Sequence, residues 1–134
     1  PWAGLLVSEP TRQFVAYADI AGRYLPHPFG AFRACTESHL PVTLLTDRDV
    51  AESLSRFAVL VLPGAVALSD AQAKAIERFV RAGGGLVATG ETSLCDELGR
   101  PRKDFATGLA ETVAWYRENR PWWEPLKQTV EMTR

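Results

Sequence analysis

The sequence predicts an α/β domain built on an open, doubly wound parallel sheet. Three observations carry that expectation. Short apolar runs recur without polar alternation, as strands covered on both faces require. Helical stretches separate the runs. The 134 residues leave room for one core of ordinary size and no second one.

The first run is Ala3-Gly-Leu-Leu-Val-Ser8, closed by Glu9-Pro10. Residues 9–26 are irregular in pattern and are expected to form a long loop with at most a helical turn. A helix follows from about Pro28 to His39, with Phe29, Phe32 and Cys35 or Thr36 on one stripe. Pro41 opens the second run, Val42-Thr-Leu-Leu-Thr46, and Asp47 closes it. A short helix near Val50 to Ser55 leads to the third run, Ala58-Val-Leu-Val-Leu62, closed by Pro63-Gly64.

The next helix is the most legible. Ser69-Asp-Ala-Gln72 is a capping-box pattern, and Leu68 is placed to staple onto Ala73. Ile76, Phe79 and Val80 make its buried stripe, and Lys74, Glu77, Arg78 and Arg81 its wet side. Gly83-Gly84-Gly85 ends it, and Gly85-Leu-Val-Ala-Thr89 is the fourth run. Alternating strands and helices with right-handed crossovers give the doubly wound sheet.

Fifteen Lys and Arg against sixteen Asp and Glu give a net charge of -1. That balance removes the electrostatic footprint of a nucleic-acid binder or a polybasic membrane anchor. No apolar run reaches the ~18 residues of a membrane-spanning helix. Pro1-Trp-Ala-Gly-Leu-Leu-Val7 has no basic segment or cleavage site, so it does not read as a signal peptide. It also lacks an initiator Met, which suggests a processed chain or a piece of a longer one. Cys35 and Cys95 are too few for a disulfide framework and point to a reducing, cytoplasmic compartment.

Several blocks carry a family resemblance. They are Ser8-Glu-Pro-Thr-Arg-Gln13, Tyr24-Leu-Pro-His27, Gly30-Ala-Phe-Arg33, Leu40 to Asp47, Val59-Leu-Val-Leu-Pro63, Leu68-Ser-Asp-Ala-Gln72 and Gly83 to Ser93. In this order they resemble the class I glutamine amidotransferase-like domain that follows the catalytic barrel in glycoside hydrolases. That domain is similar to the trimerisation domain of family 42 β-galactosidases. The resemblance covers about residues 3–103. It implies a flavodoxin-like strand order 2-1-3-4, and either self-association or a glycosidase catalytic barrel as partner.

From about Asp104 the chain resembles something else. Asp104 to Lys127, with Trp115, Tyr116, Asn119, Trp122, Trp123 and Pro125, looks like the C-terminal end of dTDP-glucose 4,6-dehydratases. The chain therefore reads as a chimera joined inside Gly99-Arg-Pro-Arg-Lys103. Residues 1–103 are the amidotransferase-like part and 104–134 a helical tail. A helix from Asp104 or Thr107 to about Asn119 would present Leu109, Val113 and Tyr116 on one face.

No catalytic constellation is complete. A dehydratase needs a Gly-rich turn after the first strand, and Val7-Ser-Glu-Pro10 has none. Tyr17, Tyr24 and Tyr116 are followed four residues later by Ala21, Pro28 and Arg120, so Tyr-x-x-x-Lys is missing too. No cofactor is expected. A glutaminase needs a Cys at a sharp turn with a downstream His. Thr89-Gly-Glu-Thr-Ser93 holds no Cys, Cys95 comes late, and His27 and His39 both lie upstream. Ser93 has no recognisable base. Cys35 reads as core, because a free Cys packs as a small hydrophobe. The two His have no metal-ligand spacing. Asp47, Asp49 and Glu52 read as a solvated helix start.

A ligand crevice remains as an expectation. In open α/β sheets ligands bind beyond the carboxyl ends of the strands. By resemblance its residues are Glu9, Arg12, Pro63 and Gly64, with Gly90 and Glu91 nearby; Glu9 and Arg12 can equally pair with each other. Trp115, Trp122 and Trp123 could form a sugar platform, but packing of an amphipathic helix is favoured by the area each indole buries. Two functions are carried forward. One is a non-catalytic accessory domain of a carbohydrate-active enzyme. The other is an enzyme fragment, either of a nucleotide-sugar dehydratase or of a diverged amidotransferase-fold hydrolase.

Overall fold

The computed structural model describes residues 2–102, 114, 117–119 and 121. Four parallel strands, β1 (Ala3–Leu6), β2 (Val42–Leu45), β3 (Val59–Pro63) and β4 (Gly85–Thr89), lie in the order β2-β1-β3-β4. This is the expected α/β sheet with the expected order. Ala3 pairs with Val42 on one side and Val59 on the other, and Val59 pairs in turn with Gly85. The expected helical tail lies outside the described residues, apart from Ala114, Arg117, Glu118 and Pro121, which are helical, and Asn119, in a turn.

Helix α2 (Pro26–Glu37) joins β1 to β2, α3 (Asp47–Glu52) with a 3-10 turn (Leu54–Arg56) joins β2 to β3, and α4 (Asp70–Arg81) joins β3 to β4. The chain steps one way from β1 to β2 and the other way from β2 to β3 and β4. With right-handed crossovers that reversal puts α2 on one face and α3 and α4 on the other. Helices α3 and α4 pack against each other, while α2 lies against the strands.

The core lies almost wholly on the α3/α4 face. Leu6, Leu45, Leu60 and Leu62 point there and meet Val50, Leu54, Phe57, Ile76, Phe79 and Val80. Gly4 faces the same way, because a Cβ there would stand 2.5 Å from Leu45 Cδ1. The Ser69–Gln72 capping box forms as expected. A second one, Thr46 with Asp49, starts α3 earlier than the sequence suggested.

Three expectations need correction. Residues 9–26 are not a loop: a π-helical turn (Thr11–Val15) and a short helix α1 (Ile20–Arg23) occupy them. Asp19 caps α1 by accepting the Gly22 N–H at 2.9 Å. The strands are not all covered on both faces, since β2 and β4 are only partly buried. The Phe29, Phe32, Cys35 stripe of α2 is not core either. Phe29 and Phe32 are exposed, Cys35 is half-buried, and Pro28 is the buried residue of α2. One helix about 10 Å across covers roughly two strands at ~4.8 Å spacing. Helix α2 therefore shields Leu5 and Val61 at the centre and leaves Leu44 on β2 and Val87 on β4 outside its reach.

Candidate functional site

Two surfaces qualify, a polar crevice above the strands and an apolar groove beside α2. The crevice, about 320 Å³, opens at the carboxyl ends of β1, β3 and β4. Gly64 and Gly90 form its floor with φ of +57° and +64°. The His27 ring lies over both: a Cβ would stand 2.8 Å from it at Gly64 and 3.6 Å at Gly90. A side chain at Gly64 would thus be excluded by its φ and by the imidazole together. Thr11, Arg23 and Glu91 complete the polar lining.

Of the residues expected there, Gly64 and Glu91 line the crevice and Glu9 and Arg12 do not. Arg12 Nε donates to Glu9 Oε2 at 2.8 Å, and its Nη2 to Glu9 Oε1. The guanidinium holds the Glu9 carboxyl below its ordinary value. The pair is spent on itself. Sequence reasoning passed over His27 and Arg23, because a lone His without ligand spacing carries no signal until α1 and α2 fold over the strands.

The hydroxyls near the crevice are committed to structure. Ala67 N–H donates to Thr11 Oγ1 at 3.0 Å, and Ser8 O–H donates to Ala67 O at 3.3 Å. Ser8 and Thr11 themselves share a 2.8 Å bond. They tie the segment after β1 to the segment after β3. Cys95 bridges to Ala67, and burial pushes its thiol up, away from the thiolate a nucleophile requires. Ser93 is buried at φ +64°, and its Oγ has no hydrogen-bond partner among the described residues. Burial likewise pushes the Tyr24 phenol up to about 12.

The groove is apolar throughout. Val7, Leu25, Pro28, Phe29, Phe32 and Leu44 enclose about 260 Å³ between α2 and the outer strand β2. Phe29 is 64% exposed, Leu44 54%, Phe32 38% and Val7 36%. No described helix is long and apolar enough to cross a membrane.

Fold and surfaces together give an α/β sheet whose core sits on one side and whose other face, among the described residues, carries exposed apolar side chains. A family model, the β-galactosidase trimerisation domain, matches residues 31–126. The chain belongs to that family, a non-catalytic accessory part of glycoside hydrolases, and this bears out the first of the two functions carried forward. The match continues past the junction expected near residue 104.

Solved structures agree on the fold. A β-galactosidase from Bifidobacterium adolescentis superposes with a TM-score of 0.70 at 20% identity, over 84% of this chain and 52% of that one. A β-galactosidase from Bacillus circulans sp. alkalophilus gives 0.68 at 19% identity, over 81% and 16%. Curated relatives are matched over short stretches only. The dTDP-glucose 4,6-dehydratase of Streptomyces antibioticus is 71% identical over 34 residues, 25% of this chain and 10% of that protein. That of Streptomyces niveus is 60% identical over 43 residues, 31% and 13%. The chain thus spans about a tenth of the dehydratases it matches.

Proposed function

We propose that this chain associates with copies of itself and holds the subunits of a carbohydrate-active enzyme of the β-galactosidase type together, without catalysing a reaction. The observation that carries this is the family match over residues 31–126. The apolar face left bare by the single helix α2 supports it. A glycosidase catalytic barrel is the second partner in this proposal. Two free thiols, Cys35 and Cys95, support a reducing, cytoplasmic location.

Residues 104–134 are proposed to be a segment related to the end of a nucleotide-sugar dehydratase, joined to the association domain at 1–103. The 71% identity over 34 residues, three more than residues 104–134 hold, supports a dehydratase-like origin for a stretch that begins somewhat before residue 104. The segment brings no reaction with it, since the sequence has neither the Gly-rich turn nor the Tyr-x-x-x-Lys pair.

Sedimentation of the full chain tests the association. A trimer is expected. A chain that sediments as a monomer at its highest soluble concentration refutes the proposal.

A further inference from the structure

We propose that the groove between α2 and β2 is the contact that receives the second copy of this chain. This rests on the association reading above and adds the surface that performs it. Val7, Phe29, Phe32 and Leu44 are exposed side by side, and the largest apolar patch on a soluble protein is often functional. A standard interface takes about 800 Å² from each partner. The groove is smaller than one such side, so a partner copy seated in it must also cover residues beside it.

The occupant follows from three features. The groove is concave and lined by apolar side chains alone, so it selects a protruding apolar surface and no charged ligand. The charged pair nearest Phe32 in sequence on α2, Arg33 with Glu37, offsets itself at 2.6 Å. A copy of net charge -1 is therefore not repelled. The family to which the chain belongs is a trimerisation domain. In a cyclic trimer every contact is heterologous, so the groove of one copy receives a different patch of the next. Closing the groove on each copy is then enough to open the ring.

The test is the mass in solution of the full chain, of Phe29→Ser with Leu44→Lys, and of the control Lys74→Ser on the wet side of α4. Both groove positions are more than half exposed, so the fold is expected to survive, and circular dichroism with a thermal melt verifies this. The expected result is a wild-type trimer, a control trimer and a threefold lower mass for the double variant. A wild-type trimer with an equally trimeric double variant overturns the groove and leaves the proposed function standing. A monomeric wild type overturns both. If that monomer's tryptophan emission also shifts to the red in the double variant, the groove belongs to the chain's own C-terminal segment.

Discussion

Replacing Gln72 with alanine removes a side chain that joins two helices. Gln72 Oε1 accepts the Ser69 N–H at 2.7 Å, closing the capping box of α4. Its Nε2 donates to Asp47 O at 3.1 Å and to Asp47 Oδ1 at 3.0 Å, at the start of α3. Asp47 Oδ2 in turn accepts the Glu9 N–H at 2.9 Å. The residue is buried, so water does not replace the lost bonds freely. At roughly 1 kcal/mol net per bond, Gln72→Ala should cost about 2–4 kcal/mol. Ser69→Ala, a cap alone, should cost about 1 kcal/mol. For a chain of this size the larger loss lowers Tm by about 10 °C. Urea unfolding at fixed protein concentration measures it, since association also contributes to stability. A cycle of Gln72→Ala with Asp47→Ala should show coupling of about 1 kcal/mol or more. Gln72→Glu keeps the acceptor for Ser69 but sets a carboxylate against Asp47. Its penalty should exceed that of Gln72→Ala, since two like charges then face each other. If Gln72→Ala costs no more than Ser69→Ala and the cycle shows no coupling, the link between α3 and α4 contributes nothing and the reasoning fails.

Four further outcomes are expected. Ser93→Gly should stabilise by about 1 kcal/mol, because relief of a left-handed backbone and of an unbonded buried hydroxyl outweighs the ~0.5–1 kcal/mol entropic cost of glycine; a lower urea midpoint would contradict this. Gly4→Ala should cost about 1–3 kcal/mol by overpacking against Leu45 and Phe57, and an unchanged melt would show that the core yields there. The Asp49 carboxyl is held below its ordinary 3.8 by the Thr46 hydroxyl and amide. Its contribution is therefore complete above that value and lost as pH falls through the lower folded value. Below about pH 4 the wild type should lose more stability than Asp49→Ala, and parallel acid curves would argue against it. Glutamine should not be turned over; steady ammonia release abolished by Cys95→Ala would refute the non-catalytic assignment.

Much of the sheet was legible, because continuous Val and Leu runs bounded by Pro, Gly and Asp have few other uses. The α4 cap was equally plain, since Ser69 and Gln72 sit at the spacing a capping box requires. The Thr46–Asp49 box was less visible, as Asp replaces the usual Glu or Gln at N3. Residues 9–26 misled because Pro10, Gly22 and Pro26 look like helix breakers. Pro26 opens α2, where its missing N–H costs nothing, and Gly22 is held by the Asp19 cap. The Asp47–Gln72 link spans 25 residues and has no local signature. At the crevice, the Glu9–Arg12 alternative was readable from the i, i+3 spacing. His27 was not, because its place over Gly64 depends on how α1 and α2 fold back.

Periodicity located the Phe29–Phe32 stripe but could not say what lies opposite it. The structure answers with an asymmetry. On one face Ile76, Phe79 and Val80 of α4 and Val50 of α3 cover the strands, and the hydrophobic core collects there. On the other face α2 covers the two central strands and leaves both flanks wet. Folding and association are thereby assigned to different residues. Substitutions at Ile76 or Phe79 remove packed atoms and should unfold the chain at any concentration. Substitutions at Phe29 or Leu44 remove side chains that are already more than half in water, so the isolated domain loses little. What they forfeit is the burial that a neighbouring copy supplies, about 25 cal/mol for each Å² covered. A protein arranged in this way melts with a Tm that rises with its concentration, and the groove variants abolish that dependence while leaving the low-concentration Tm in place.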